Sequence, residues 1–98
     1  MVTNDSPNPI IDQPLYSGGN GTSFETAIVI NTISTSVGIP AEFKYISNIY
    51  GQKNVDWFVV SQSLMTKPNK YYDVLLIKLS NDDKKSIFFD ITQFYGKF

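Results

Sequence analysis

The sequence predicts an α+β domain, with one helix packed on a mostly antiparallel four-stranded sheet in the order β-α-β-β-β. Three observations carry that reading. Between Pro40 and Gly51, apolar residues recur at helical spacing. Three later segments, Trp57 to Leu64, Tyr71 to Leu79 and Ile87 to Ile91, are rich in β-branched and aromatic residues, and the turn formers of "KPNK" and "SNDDK" separate them. An earlier apolar tetrad, "AIVI" from Ala27 to Ile30, has the composition of a strand buried on both faces.

Taken in order, residues 1–21 hold three Pro and three Gly without any regular period, which predicts a flexible N-terminal tail. Nothing in residues 1–9 offsets the entropy of ordering, so these are expected to be mobile and dispensable. Ile10, Ile11, Leu15 and Tyr16 are the exceptions in the tail, being candidates to dock on the domain. Residues 22–98 form the single expected domain. It opens on Thr22-Ser23-Phe24-Glu25, a capping-box pattern sufficient for one helical turn. Asn31 to Gly38 reads as loop. Pro40 suits a first helical position and Gly51 a C-terminal cap, and Ile39, Phe43, Ile46, Ile49 and Tyr50 share one arc, so the helix is placed at 40–50.

Composition narrows the function classes. A chain of 98 residues buries only about 60–65% of its unfolded surface, enough for one core. At 42% hydrophobic and 14% aromatic residues it lies well outside the disorder regime. All eight cations are Lys and the net charge is −1, so neither nucleic acid nor an anionic membrane surface is an expected partner. With no His and no Cys there is no imidazole or thiolate metal site, no His-based nucleophile system and no disulfide. No cofactor or metal is expected, and a cytoplasmic location is. Asn4-Asp5-Ser6 and Asn20-Gly21-Thr22 match glycosylation triplets, which arise by chance at this frequency.

The blocks "GTSFETAIVIN", "AEFKYISNIYG", "DWFVVSQSL", "YYDVLLIKLS" and "FFDITQFYG" resemble a family of small uncharacterised bacterial proteins over residues 21–97. The resemblance implies a bacterial single-domain protein and no particular activity.

Register gives the site expectation. If both hairpins use even turns, Lys67 opposes Lys70 and Asn81 opposes Lys84. Gln62, Leu75 and Asp90 then share one rung. Asp73 lies a step along the same face, between Leu64 and Thr92, within reach of Asp90. An odd second turn would put the two carboxylates on opposite faces. In the even register both sheet faces are apolar, and a single helix covers only one. The other needs the N-terminal segment, a second copy of the chain or a partner protein to close it.

Asp73 and Asp90 could act as general acid and base, but no nucleophile or ligand set accompanies them, so hydrogen bonding to Gln62 or a Tyr hydroxyl is the expectation. Glu42 falls on the helix's apolar arc and, as third residue of a helix beginning at Pro40, is expected to cap it. Trp57 is expected in the core. The chain is therefore expected to be a non-enzymatic protein-binding module, of the small bacterial immunity or antitoxin kind or a regulatory protein. It would act through an exposed aromatic sheet face, with Phe58, Tyr71 and Phe88 filling partner pockets and Gln62, Asp73 and Asp90 fixing orientation. The alternative is a carboxylate-based hydrolase using Asp73 and Asp90, or Glu42.

Overall fold

The computed structural model describes residues 14–97. The expectations for residues 1–9, and for Ile10 and Ile11, lie outside the described residues. The class is α+β, but the sheet has five strands: β1 Tyr16–Gly18, β2 Ile28–Ile30, β3 Trp57–Lys67, β4 Lys70–Leu79 and β5 Lys84–Asp90, with helix α1 at Thr35–Tyr50. The strand order is β1-β2-β5-β4-β3. Three ladders are antiparallel, and the β2–β5 ladder at the centre is parallel, with Ile28 opposite Phe89.

The additional strand comes from the segment read as tail. Tyr16 pairs with Ile30, and its hydroxyl donates to the Ala41 carbonyl at 2.7 Å, tying β1 to α1. Leu15 and Tyr16 both pack on the core, so residues 14–21 belong to the fold. The capping-box stretch forms no helix. Ser23 and Thr26 instead exchange bonds, with the Ser23 amide donating to Thr26 Oγ1 at 3.0 Å and the Thr26 amide to Ser23 Oγ at 3.2 Å.

The helix begins earlier than Pro40. Ser34, extended at φ −97° and ψ 120°, is its N-cap, and the Val37 and Gly38 amides both bond the Ser34 carbonyl. Pro40 thus sits inside α1 and removes the amide that would have met the Ser36 carbonyl. Residues 36 and 40 are both exposed, so water can satisfy that carbonyl. Gly38, read as loop, is a buried helical residue, and a Cβ there would lie 2.5 Å from the Phe94 ring. Its lack of a side chain is what lets the C-terminal turn press against α1. Gly51 closes the helix as expected, at φ 105° with its amide on the Ser47 carbonyl.

Two local features set the register. The first hairpin is even, with Lys67 opposite Lys70 and Asn69 left-handed at φ 62°. The second is odd, and this corrects the expected pairing. Leu79 and Asp83 bracket the loop Ser80-Asn81-Asp82, the Asp82 amide bonds the Leu79 carbonyl, and Asp82 takes φ 73°. That is the three-residue hairpin geometry of a type I turn followed by a left-handed residue. Leu75 therefore faces Ile87, and Asp90 faces Tyr72. In β3 a bulge at Val60 shifts the pairing between Val59 and Ser61. The odd loop turns all of β5 over, and the bulge turns the two parts of β3 over relative to each other. Together they bring Trp57, Val59, Leu75, Ile77, Ile87 and Phe89 to the face that α1 covers.

That face is the core. Trp57, Phe89, Ile28, Ile30, Ile46, Leu75 and Ile77 are fully buried, each burial contributing about 1.5–3 kcal/mol. The Trp57 indole donates to the Gly51 carbonyl at 2.9 Å, which joins the start of β3 to the helix C-terminus. The other face is not left to a partner alone. Phe24, on the β1–β2 connection, packs edge-on against Tyr72 and Phe88 with centroids 5.0 and 4.9 Å away. No helix among the described residues is long and apolar enough to cross a membrane.

Candidate functional site

The six residues expected to act together are divided between the two faces of the sheet. Gln62, Tyr71 and Asp73 lie on the face that carries α1, whereas Phe58, Phe88 and Asp90 lie on the opposite one. The expected Asp73–Asp90 cluster does not form, because the odd second turn separates them. Phe88 is half-buried under Phe24, and Tyr71 is stacked on Tyr95 at 4.3 Å.

Asp90 is a satisfied structural group. The Thr92 hydroxyl and amide donate to its Oδ1 at 2.6 and 3.0 Å, and the Lys70 ammonium donates to Oδ2 at 3.1 Å. Thr92 Oγ1 in turn accepts the Tyr71 amide. Burial pushes the Asp90 carboxyl up, but Thr92 and Lys70 more than offset this and hold it below its ordinary value. Asp90 does point away from the helix, as expected from Phe89 and Ile91, and it is buried and hydrogen-bonded.

Asp73 meets Glu42 instead. In β4 Asp73 pairs with Leu64 and Phe89, which directs it under α1. Because the helix starts at Thr35, Glu42 lies two turns in and caps nothing. It joins Gly38, Ala41 and Ile46 on the buried stripe and is only 2% exposed. Gln62, on the adjacent strand, donates its Nε2 to Asp73 Oδ2 at 2.6 Å. Burial first, then the hydrogen bond and charge of Asp73, push the Glu42 carboxyl up to about 10. Glu42 thus carries a proton at neutral pH, and two carboxyl groups can share a hydrogen bond only in that state. Gln62 is the sole other side-chain donor to the pair among the described residues, and Glu42 Oε1 has no donor at all if both groups are ionised.

These groups form the floor of an open pocket of about 340 Å³. One wall is Thr35 and Ile39 of α1, a second is Leu64 of β3, and the third is the C-terminal turn with Ile91, Phe94 and Tyr95. Its rim is apolar and exposed: Ile39 is 53%, Leu64 47% and Tyr95 39% accessible. Two further pockets lack a buried carboxyl group: one between Leu15 and the helix's Val37 and Pro40, the other between Tyr50 and Ile87. Among the described residues no three acidic side chains cluster as they would around a metal ion.

Sequence reasoning placed Glu42 on the apolar arc and Asp73 beside Leu64, but assigned the glutamate to a helix cap. It gave no role to Tyr95 or Phe94. The available signal was the acid itself, on a helical stripe otherwise apolar. Compared with known proteins, no family model, curated protein or solved structure matches this chain.

Proposed function

We propose that this chain is a non-enzymatic protein-binding module that takes its partner at the pocket between α1, β3 and the C-terminal turn. The observation that carries this is the rim. Ile39, Leu64 and Tyr95 are large apolar side chains left in water around one concavity, whereas the seven other exposed large apolar side chains among the described residues lie outside it. The binding surface in this reading is the helix-side pocket; on the opposite sheet face Phe24 covers Phe88 and Tyr72, and Phe58 stays 37% exposed. In this reading the protein is a cytoplasmic bacterial one of the immunity or antitoxin kind, acting by occlusion, the bacterial origin resting on the resemblance of its sequence blocks.

Position 64 tests it, because Ser63 beside it faces the other way. A photo-crosslinking residue at Leu64 is expected to trap one discrete protein in bacterial cells, the same residue at Ser63 is not, and Leu64→Lys should remove capture while leaving the melting temperature in place. Equal trapping at both positions, or none at either, would refute the proposal.

A second reading rests on the acid pair. A carboxyl group pushed up by burial beside a second one in a pocket is the equipment of acid–base hydrolysis. Glu42 at about 10 argues for binding, since a catalytic acid is most effective near the working pH. Turnover of peptide or glycoside substrates that disappears in Asp73→Asn would establish the hydrolase instead.

A further inference from the structure

The floor of the pocket is chemically lopsided. Glu42 and Asp73 bring four carboxyl oxygens to one point, and Gln62 Nε2 is the single side-chain N–H directed at them among the described residues. The proton held on Glu42 serves the contact between the two acids and can satisfy only one of their oxygens as an acceptor. Glu42 is nine-tenths buried and more, lines the pocket and has an oxygen without a donor. Acceptors in this state favour a ligand that carries several N–H donors and no acceptor. Among protein side chains the ammonium and guanidinium groups meet that description throughout the neutral pH range.

The walls specify the rest of the ligand. Ile39, Leu64 and Tyr95 surround the mouth with hydrocarbon and an aromatic ring, and no cation of this chain bonds either acid among the described residues. A neutral apolar side chain would fit the walls but strand the floor. A small hydrated cation would satisfy the floor but gain nothing from the walls. A lysine or arginine satisfies both, with its methylene stem against the rim and its head on the acids.

We propose that the Glu42–Asp73 pocket receives a lysine or arginine side chain of a protein partner, with the cationic head bonded to both carboxyl groups and the stem held by Ile39, Leu64 and Tyr95. This rests on the binding-module reading for its occupant, and it assigns the part of the partner that enters. The pocket would then be a charge-selective anchor point: it rejects Leu or Met at that position, since neither supplies a donor, and rejects Asp or Glu by repulsion.

The test uses small probes and needs no partner. Butylammonium and ethylguanidinium are titrated into the intact protein in the millimolar range, with pentanol as the neutral counterpart of the first. The Gln62 side-chain amide and the Ile39 and Leu64 methyl groups are followed by NMR. Both cations should give saturable shifts at these groups, with pentanol at least about tenfold weaker, the loss expected for a charge-assisted bond. Asp73→Asn should weaken cation binding by a similar factor, whereas Asp90→Asn, on the opposite face, should leave it unchanged. Pentanol binding as well as the cations do, or cation shifts confined to the exposed Asp82–Asp83 turn, would overturn the proposal, and neither comparison needs a variant. Saturable cation binding alongside equal crosslinking at 63 and 64 would remove the partner-binding reading alone. Discrete crosslinking at 64 that persists in Asp73→Asn, with no cation preference, would remove the cation anchor alone.

Discussion

Replacing Glu42 by Gln should stabilise the protein, by an amount that depends on pH. The glutamate is buried beside Asp73, and its carboxyl lies at about 10 against an ordinary 4.5. A carboxyl raised on folding keeps its proton in the native state while the unfolded chain gives it up. Its contribution is thus fully present below pH 4.5 and is lost progressively as pH rises towards 10. At pH 7 the interval from 4.5 is 2.5 units, and at about 1.36 kcal/mol per unit the cost of retaining the proton is about 3 kcal/mol. Local relaxation and water entry would reduce this. Gln is the neutral isostere, can still donate an N–H to Asp73, and has no proton to lose. Urea unfolding of both proteins from pH 4 to 9 is the assay. Glu42→Gln should match the parent near pH 4 and exceed it by about 2–3 kcal/mol at pH 7, a rise in melting temperature on the order of 10 °C for a domain of this size. A difference between the two that does not change with pH would refute the buried, protonated assignment. A loss of stability in the variant that grows with pH would reverse it.

Two further substitutions probe the supporting structure. Gly38→Ala should gain up to ~1 kcal/mol in helix propensity yet lower stability overall, because its Cβ would meet the Phe94 ring at 2.5 Å and overpacking costs about 1–3 kcal/mol. A higher melting temperature would show that Phe94 is free to move aside. Asp90→Asn should cost about 1 kcal/mol near neutral pH, since the Thr92 bonds survive and the Lys70 contact is half in water. Asp90 is held below its ordinary 3.8, so the parent's advantage is present above that pH and is lost as pH falls through the lower folded value. An advantage that persists in strong acid would contradict the assigned bonds.

Much of the fold was legible because its signals are local. The strands at 57, 71 and 87 and the turn at Pro68-Asn69 follow from composition, and Gly51 marks the end of the helix. The helix start was not legible from Pro40, since the N-cap Ser34 makes no side-chain cap bond and the intervening Val-Gly-Ile resembles a break. β1 was hidden because three residues with a glycine carry no periodicity, and their strand character comes from the neighbouring Ile30 edge. The register depended on two one-residue events, the bulge at Val60 and the odd loop at Ser80–Asp82. Neither has a dedicated residue signature, though both could have been inferred from the even register's unsolved problem, a sheet apolar on both faces. Shifting β5 against β4 and the two halves of β3 against each other gathers Trp57, Val59, Leu75, Ile77, Ile87 and Phe89 under α1 and leaves Tyr72, Val74, Leu76 and Phe88 on the other face, where Phe24 covers Tyr72 and Phe88. It also moves Asp73 from Asp90 to Glu42. The sequence reading thus paired Asp73 with Asp90, whereas the structure sets it beside Glu42.

The parallel ladder between β2 and β5 has a consequence for the order in which this chain can become a protein. β2 leaves the ribosome long before β5 exists, and Ile28, paired with Gly18 on one side, has no strand on the other until Phe89 has been made. Until then β3 and β4, joined by a two-residue turn, are the pair that can form by local search, while α1 and the β1–β2 hairpin have only a partial core to cover. A chain that has emerged from the tunnel only as far as Leu79 to Lys84 would present a hairpin, a helix with a buried acid and an unclosed apolar face together. Completion of β5 inserts the middle strand last, and its two ladders, to β2 and to β4, close then. A nascent chain truncated before Ile87 should therefore recruit chaperones, and release them once residue 91 has cleared the exit tunnel.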